Sequence, residues 1–247
     1  MKIVILQPMF FPWVGVFEQI RFADKYVHYD DVQFSKGSFG NRVQIKTAKG
    51  FKWLSVPLHN LRLGQKIKEV KLHPTLNWRQ SHIELLSQVY KQTPFRNEML
   101  ELVGNVYRES ATTISELAIM SIHEVCKYFK LYRPDKFLCS SDLGIGGKGS
   151  QRVLDIIKRL NGNNYITGHG ALNYLDHELF EKNGVRVEYI DYKRIPYPQL
   201  FGEFNPHVSI LDLIANVGTD GIRYINSESK YWKEFINQKK KDIIGGR

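Results

Sequence analysis

The chain has 247 residues, 43% hydrophobic and 13% aromatic, with 35 Lys and Arg against 25 Asp and Glu and a net charge of +10. That length accommodates one large α/β domain, or one domain with a helical subdomain, and the apolar content is enough for a full core. No apolar run approaches the roughly 20 residues of a membrane helix, and two cysteines, Cys126 and Cys139, cannot make a disulfide framework.

The N-terminus shows no charged region followed by a long apolar stretch and a cleavage site, so a cytoplasmic protein in a reducing compartment is expected. Lys2 to Leu6 is a short β-branched run that predicts a buried strand. Pro8 and Pro12 hold the next segment extended or turned. Trp13, Val14, Phe17, Ile20 and Ala23 recur at three- and four-residue steps, which predicts a helix, and Tyr26 to Tyr29 reads as a second strand. Strand, loop, helix and strand in that order suit a parallel βαβ unit. Val43 to Thr47 and Lys52 to Pro57 flank Ala48-Lys49-Gly50, the pattern of a β-hairpin, and Val70 to Leu72 predicts a further strand.

From Trp78 to about Lys130 the apolar residues follow helical spacing, in three groups around Leu86, Val103 and Leu117. The last third returns to α/β. Strands are expected at 136–138, 165–167 and 185–190, with helices at 151–160, 179–182 and 208–216. The expected fold class is therefore α/β: an open, mostly parallel, Rossmann-like sheet with a central helical insert; the N-terminal strand–loop–helix–strand resembles the layout of nucleotidyltransferases. The expected division is an N-terminal α/β part with the hairpin at 1–75 and the insert at 76–132. A C-terminal α/β part at 133–228 completes the same domain, and 229–247 forms a charged tail. Ligands of such sheets bind beyond the strand carboxyl ends, where Gln7, Asp30, Asp31 and His169 fall.

Asp30 and Asp31 are adjacent carboxylates that suit a divalent cation, a general base, or acceptance from sugar hydroxyls and amines. Alternation along a strand would point them apart, one to a site and the other to a turn or to Lys36 or Arg42. Their plain reading is a solvated strand end. Arg42 offers a planar fork for phosphate or carboxylate, and with Lys36 and Lys46 it can hold a diphosphate; the plain alternative is an exposed basic hairpin. Phe10 or Phe11, in a Pro-bounded loop, can stack on a base or sugar, although such aromatics are more often core. His169 lies between two glycines and suits proton transfer at neutral pH, or else a structural bond to a neighbouring loop. Cys139 precedes two serines and reads as a small buried group before it reads as a nucleophile. The run Gly144 to Ser150 fails phosphate-loop spacing, because Gly follows Lys148. No histidine pair has zinc spacing, and no metal is expected. The charge excess reads as dispersed, with part of it in the tail Lys239-Lys240-Lys241. Dispersal makes nucleic acid a poor candidate partner.

Five stretches together carry a resemblance: ILQPMFFPWVGVFEQI, YDDVQFSKGSFGNRVQIK, GGKGSQRVLDIIKRL, YITGHGALNYLD and YPQLFGEFNPHVSILDLI. In this order, across nearly the whole chain, the sequence resembles the WbqC-like family of bacterial proteins, associated with making O-antigen and other surface polysaccharides. The resemblance implies a transferase that places an acyl or aminoacyl group, glycyl foremost, on the amine of a nucleotide-linked amino sugar. It carries over to Gln7, Pro8, Pro12, Gly15, Asp30, Asp31, Gln33, Asn41, Arg42, Gly168, Tyr174, Phe204, Ser209 and Asp212. His28 departs from an apolar family position, and His169 stands at a variable one.

On this reading Lys36, Arg42 and Lys46 hold the diphosphate. Asp31 or Asp30 orients the amine and accepts its proton, and Asn41 and Gln7 bind the oxyanion or sugar hydroxyls. Phe11, Gln33 and Tyr174 complete the substrate site, with His169 as a further base. No bound cofactor is implied; the acyl donor would ride on an acidic phosphopantetheine carrier protein, which a +10 surface suits. The rival readings are a non-catalytic nucleotide-sugar-binding or assembly protein and a nucleotidyltransferase-like enzyme. The latter normally has a His-x-Gly-His pair that Pro12-Trp13-Val14-Gly15 lacks.

Overall fold

The structure, a computed structural model, describes residues 1–245, with side chains through residue 239; Lys240 and Lys241 of the basic tail, and the last two residues, lie outside that description. Six strands form one sheet: β1 (Lys2–Leu6), β2 (Lys25–His28), β7 (Phe137–Cys139), β8 (Asn164–Thr167), β9 (Arg186–Asp191) and β10 (Glu228–Tyr231). Their order is β10-β9-β8-β1-β2-β7, parallel throughout except for the antiparallel edge pair β9–β10. The chain winds outward from β1 through β2 to β7, then restarts beside β1 at β8. The sheet is thus open and mostly parallel, as the strand–helix alternation predicted, and its topological switch point lies between β1 and β8.

Alternation along the strands sorts the core into two layers. Ile3, Ile5, Val27, Tyr165, Val187 and Tyr189 pack on one face with α5 (Gly149–Arg159), α6 (His177–Lys182) and Phe235 of α8 (Trp232–Gly245). Val4, Tyr26, Ile166 and Ile190 face the other way. There they meet α1 (Val14–Phe22), the block α2 (Trp78–Val89), α3 (Arg96–Arg108) and α4 (Ile114–Tyr128), and α7 (Ile210–Val217). The helical block has the three apolar faces expected from its spacing. Helix α4 starts at Thr113, whose hydroxyl accepts from the Glu116 amide while Glu116 accepts from the Thr113 amide, a reciprocal cap.

The hairpin is β3 (Arg42–Thr47) with β4 (Gly50–Ser55), paired from Arg42–Ser55 to Thr47–Gly50. Gly50, at φ +99, supplies the turn's left-handed residue. Val43, Ile45 and Leu54 face the core, so Arg42, Gln44, Phe51 and Trp53 face out. A two-residue pair, β5 (Leu58–His59) with β6 (Lys71–Leu72), closes the next loop.

Candidate functional site

Strand β2 ends at His28, so Asp30 and Asp31 sit in a turn and not on a pleat. Both carboxylates therefore converge on the segment after β7. Asp30 is buried and accepts from the Ser140 hydroxyl (3.1 Å), the Ser141 hydroxyl (2.8 Å) and the Ser141 amide (3.0 Å). Asp31 lies 2.5 Å from the Ser140 hydroxyl, whose single proton it shares with Asp30, and accepts from Arg152 Nη2 at 2.5 Å. Arg152 is only 5% exposed, donates from Nε to the Ile145 carbonyl and lies 5.0 Å over the Tyr29 ring. Burial alone would raise the Asp31 carboxyl, but the Ser140 and Arg152 bonds outweigh it and hold its pKa below the ordinary value. The alternation argument for these two side chains fails because the strand has ended, and Asp31 pairs with Arg152, not with Lys36 or Arg42.

The principal cavity lies beside the hairpin. It has a volume of about 850 Å³ and is lined by Gln33, Lys36, Asn41, Arg42 and Arg62, with Phe34, Val56, Pro57, Leu58, Leu61 and Leu63 supplying apolar wall. Four of the predicted substrate-binding and catalytic residues thus share one enclosure. Asn41 is fixed by its Nδ2 donating to the Val56 carbonyl (2.9 Å), and Arg42 stacks 4.3 Å over Trp53 while donating to the Gly37 carbonyl. Nε of Arg42 is buried and has no partner among the described residues. Ser55, also in the wall, accepts through its carbonyl from His82 Nε2 at 3.0 Å. His82 in turn accepts at Nδ1 from Tyr107 (2.7 Å), and burial lowers its pKa to about 4.

The remaining predicted residues lie elsewhere. Lys46 does not line the cavity: it is 5% exposed, and its ammonium donates to Gln199 Oε1 (3.0 Å) and to the Gly202 and Glu203 carbonyls. Phe11 offers no stacking surface, being fully buried at φ +38, with its amide bonded to Ser121 Oγ (3.0 Å) and its carbonyl to Ser209 Oγ (2.8 Å). Gln7 is exposed at the end of β1 with no side-chain hydrogen bond among the described residues. Tyr174 is 65% exposed. His169 donates from Nε2 to the Ile190 carbonyl (2.8 Å) between the Tyr192 and Phe235 rings. Burial keeps its pKa low, so the ring is neutral near pH 7 with Nδ1 as acceptor. The preceding Gly168 is required by packing, since a Cβ there would meet Tyr192 Oη at 2.9 Å. The Cys139 thiol is pushed up to about 11, first by burial and then by Asp30, which suppresses the thiolate.

Sequence reasoning missed Arg62, Arg152 and the role of the two serines. Arg152 reads as one more charge on an amphipathic helix, and only the turn after β2 brings Asp31 to it. Asp212 was singled out only by resemblance. It is fully buried on α7 and accepts from Tyr90 (3.0 Å), Tyr197 (2.9 Å) and Gln199 (2.8 Å), while burial raises its pKa. Nor is the charge excess dispersed: Val32 to Lys68 contains eight Lys and Arg and no Asp or Glu, out of a chain total of +10.

Comparison with known proteins gives one family: the profile of the WbqC-like protein family matches residues 7–224. An uncharacterized protein of Mycobacterium tuberculosis (strain ATCC 25618 / H37Rv), Rv1507c, is 31% identical over 227 residues, covering 91% of this chain and 97% of the relative. No solved structure gives a significant match.

Proposed function

The chain belongs to the WbqC-like protein family, and from that premise we propose that it binds a nucleotide-linked amino sugar and places an acyl or aminoacyl group on the sugar amine, in the making of bacterial surface polysaccharide. One observation carries the reading: a cavity of about 850 Å³ in which Lys36, Arg42 and Arg62 converge with Gln33 and Asn41 against an apolar wall. Three cations suit a diphosphate, and a guanidinium such as that of Arg42 suits its paired oxygens. The amide side chains suit sugar hydroxyls, and the apolar wall suits a nucleoside.

The amine of such a substrate is its own nucleophile, so no covalent enzyme intermediate is needed; a thiol held largely protonated, as at Cys139, agrees with that. An aminoacyl or acyl donor on an acidic phosphopantetheine carrier protein fits the basic surface around the cavity. Asp31 is a poor proton acceptor in this arrangement, because serine and arginine donors stabilise its ionised form. Of the predicted bases, His169 is neutral near pH 7, but none of them lines the cavity.

The test is titration of the protein with a panel of nucleoside diphosphate-linked amino sugars, followed by mass-spectrometric assay with aminoacyl-carrier donors. Saturable binding that Arg42→Ala weakens at least tenfold, with acylated sugar formed, is the expected result. Binding without turnover for any donor would favour a non-catalytic nucleotide-sugar-binding protein, the reading that the engaged aspartates support. No binding by any member of the panel would end both readings.

A further inference from the structure

The outward face of the hairpin has features that a ligand cavity does not require. Phe51 and Trp53 stand on it at 52% and 38% exposure, opposite Lys46 and Gln44 in the β3–β4 register. Phe39, 51% exposed, packs its ring 5.8 Å from that of Trp53. Leu63 is 98% exposed beside the cavity mouth. Four of the large hydrophobic side chains that the protein leaves in water thus fall between residues 39 and 63. That segment is embedded in the stretch from Val32 to Lys68, which has eight cations and no acid. Lone exposed apolar residues need no explanation, but a cluster of aromatic and aliphatic groups interleaved with one sign of charge does.

We propose that this face is a peripheral docking surface for an anionic lipid bilayer. The apolar groups would enter the interfacial region while Lys49, exposed at the hairpin turn, meets lipid headgroups. Charge complementarity identifies the partner: the 37 residues from Val32 to Lys68, which include the hairpin, carry eight cations and no carboxylate and match the negative potential of a membrane leaflet. Shape separates a bilayer from single-stranded nucleic acid. A base needs an open aromatic face, whereas Trp53 already carries the Arg42 guanidinium at 4.3 Å and the tilted Phe39 ring. Leu63, the most exposed of the set, has no π face to offer. Side chains of this kind, amphipathic aromatics with long cationic stems, partition to a lipid–water interface. Arg42 belongs to this face by strand register and, like Leu63, lines the cavity, so docking would bring the cavity mouth to the membrane surface.

Vesicle co-sedimentation tests this. Full-length protein should sediment with phosphatidylcholine vesicles containing phosphatidylglycerol and not with phosphatidylcholine alone, and binding should fall as salt rises. A basic residue removed from this face should weaken binding about fivefold, so Lys49→Ala should weaken it about fivefold, and Lys52→Ala, on the hairpin's other face, should weaken it less. Phe39→Ser with Phe51→Ser should abolish it, while thermal midpoint and nucleotide-sugar affinity stay unchanged, because neither phenylalanine lines the cavity. That unchanged affinity separates failure here from failure of the transferase reading. Sedimentation indifferent to these substitutions, or none with anionic vesicles, would overturn the proposal. Single-stranded RNA binding in place of vesicle binding would assign the face to nucleic acid instead.

Discussion

At the scale of single residues, the protein keeps charge inside only where donors and acceptors surround it. Arg152 and Asp31 have side-chain exposures of 6% and 14% and meet at 2.5 Å. Removing one partner of a buried pair costs on the order of 3–5 kcal/mol, because the other is left uncompensated. Arg152→Ala should therefore destabilise the protein by about 3 kcal/mol at pH 7 in denaturant unfolding. Asp31→Asn should cost less, since an amide retains a hydrogen bond from Arg152. The sign of the pH dependence follows from the depressed Asp31 carboxyl. Its stabilisation is present above the ordinary value near 3.8 and is lost as pH falls through the lower folded value. The wild-type advantage over Arg152→Ala should hold at pH 6 and shrink below about pH 4.

Histidines set a second pH window. His28 and His123 face each other through their Nε2 atoms at 3.2 Å, and burial lowers their pKa values to about 3 and about 4. Only one of the two nitrogens carries the proton, so the pair is stable when both rings are neutral. Each ring binds a proton in the unfolded chain near pH 6.5 but not in the folded one until far lower. Stability is thus full above pH 6.5 and falls by up to about 1.4 kcal/mol per pH unit per ring on the way to pH 4. Chemical denaturation of His123→Phe at pH 7 and pH 5 should show a smaller difference than the wild type; an equal difference would remove the pair from this role. His28, the most catalytic-looking side chain of its strand by residue type, is thus part of the core, in accord with the family departure at its position.

At the scale of elements, the hairpin is fastened to the rest of the protein by Lys46. Its ammonium satisfies Gln199 Oε1 and the carbonyls of Gly202 and Glu203, and Gln199 also donates to the buried Asp212. Lys46→Met keeps most of the stem but leaves the Gly202 and Glu203 carbonyls without their donor, while Gln199 Oε1 keeps the Asn205 amide; each acceptor left unpartnered costs about 1–3 kcal/mol where burial persists. Limited proteolysis should then open the 199–205 loop before any other site. Nucleotide-sugar affinity should change less than twofold, in contrast to Arg42→Ala. This contrast also shows what could be read from sequence. Lys46 and Arg42 belong to one short basic hairpin, and their spacing gives both the same promise of a diphosphate. Pleat parity does not separate them either, since both face outward. What separates them is a loop 150 residues away that covers one and not the other, and local pattern carries no trace of it. The elements themselves were legible because the strands are β-branched runs and the helices keep their period. Strand β6 falls within the predicted run Val70 to Leu72, whereas its partner β5 and the edge strand β10 were not legible, because strands of two and four residues have no period to detect.

At the scale of the whole molecule, the last described segment completes the sheet and is more than a charged tail. Strand β10 pairs antiparallel with β9, from Glu228–Asp191 to Tyr231–Glu188. The helix that follows lays Phe235, 3% exposed, against the rings of Tyr189 and His169. Without these residues β9 becomes an open edge, with unpaired amides and carbonyls beside a bare apolar patch. A chain ending at Ser227 retains the Glu18–Ser227 and Lys193–Ser227 bonds, yet it should self-associate on concentration, as light scattering would report. Phe235→Ala separates packing from edge protection: it should cost about 3 kcal/mol and leave the protein monodisperse. It should also raise the His169 pKa toward the ordinary value by admitting water, so the imidazole resonances should titrate at higher pH than in the wild type. If truncation leaves a monomer of unchanged stability, β10 is dispensable and the fold ends at β9; if Phe235→Ala leaves the His169 titration unmoved, the ring is shielded by Tyr192 alone.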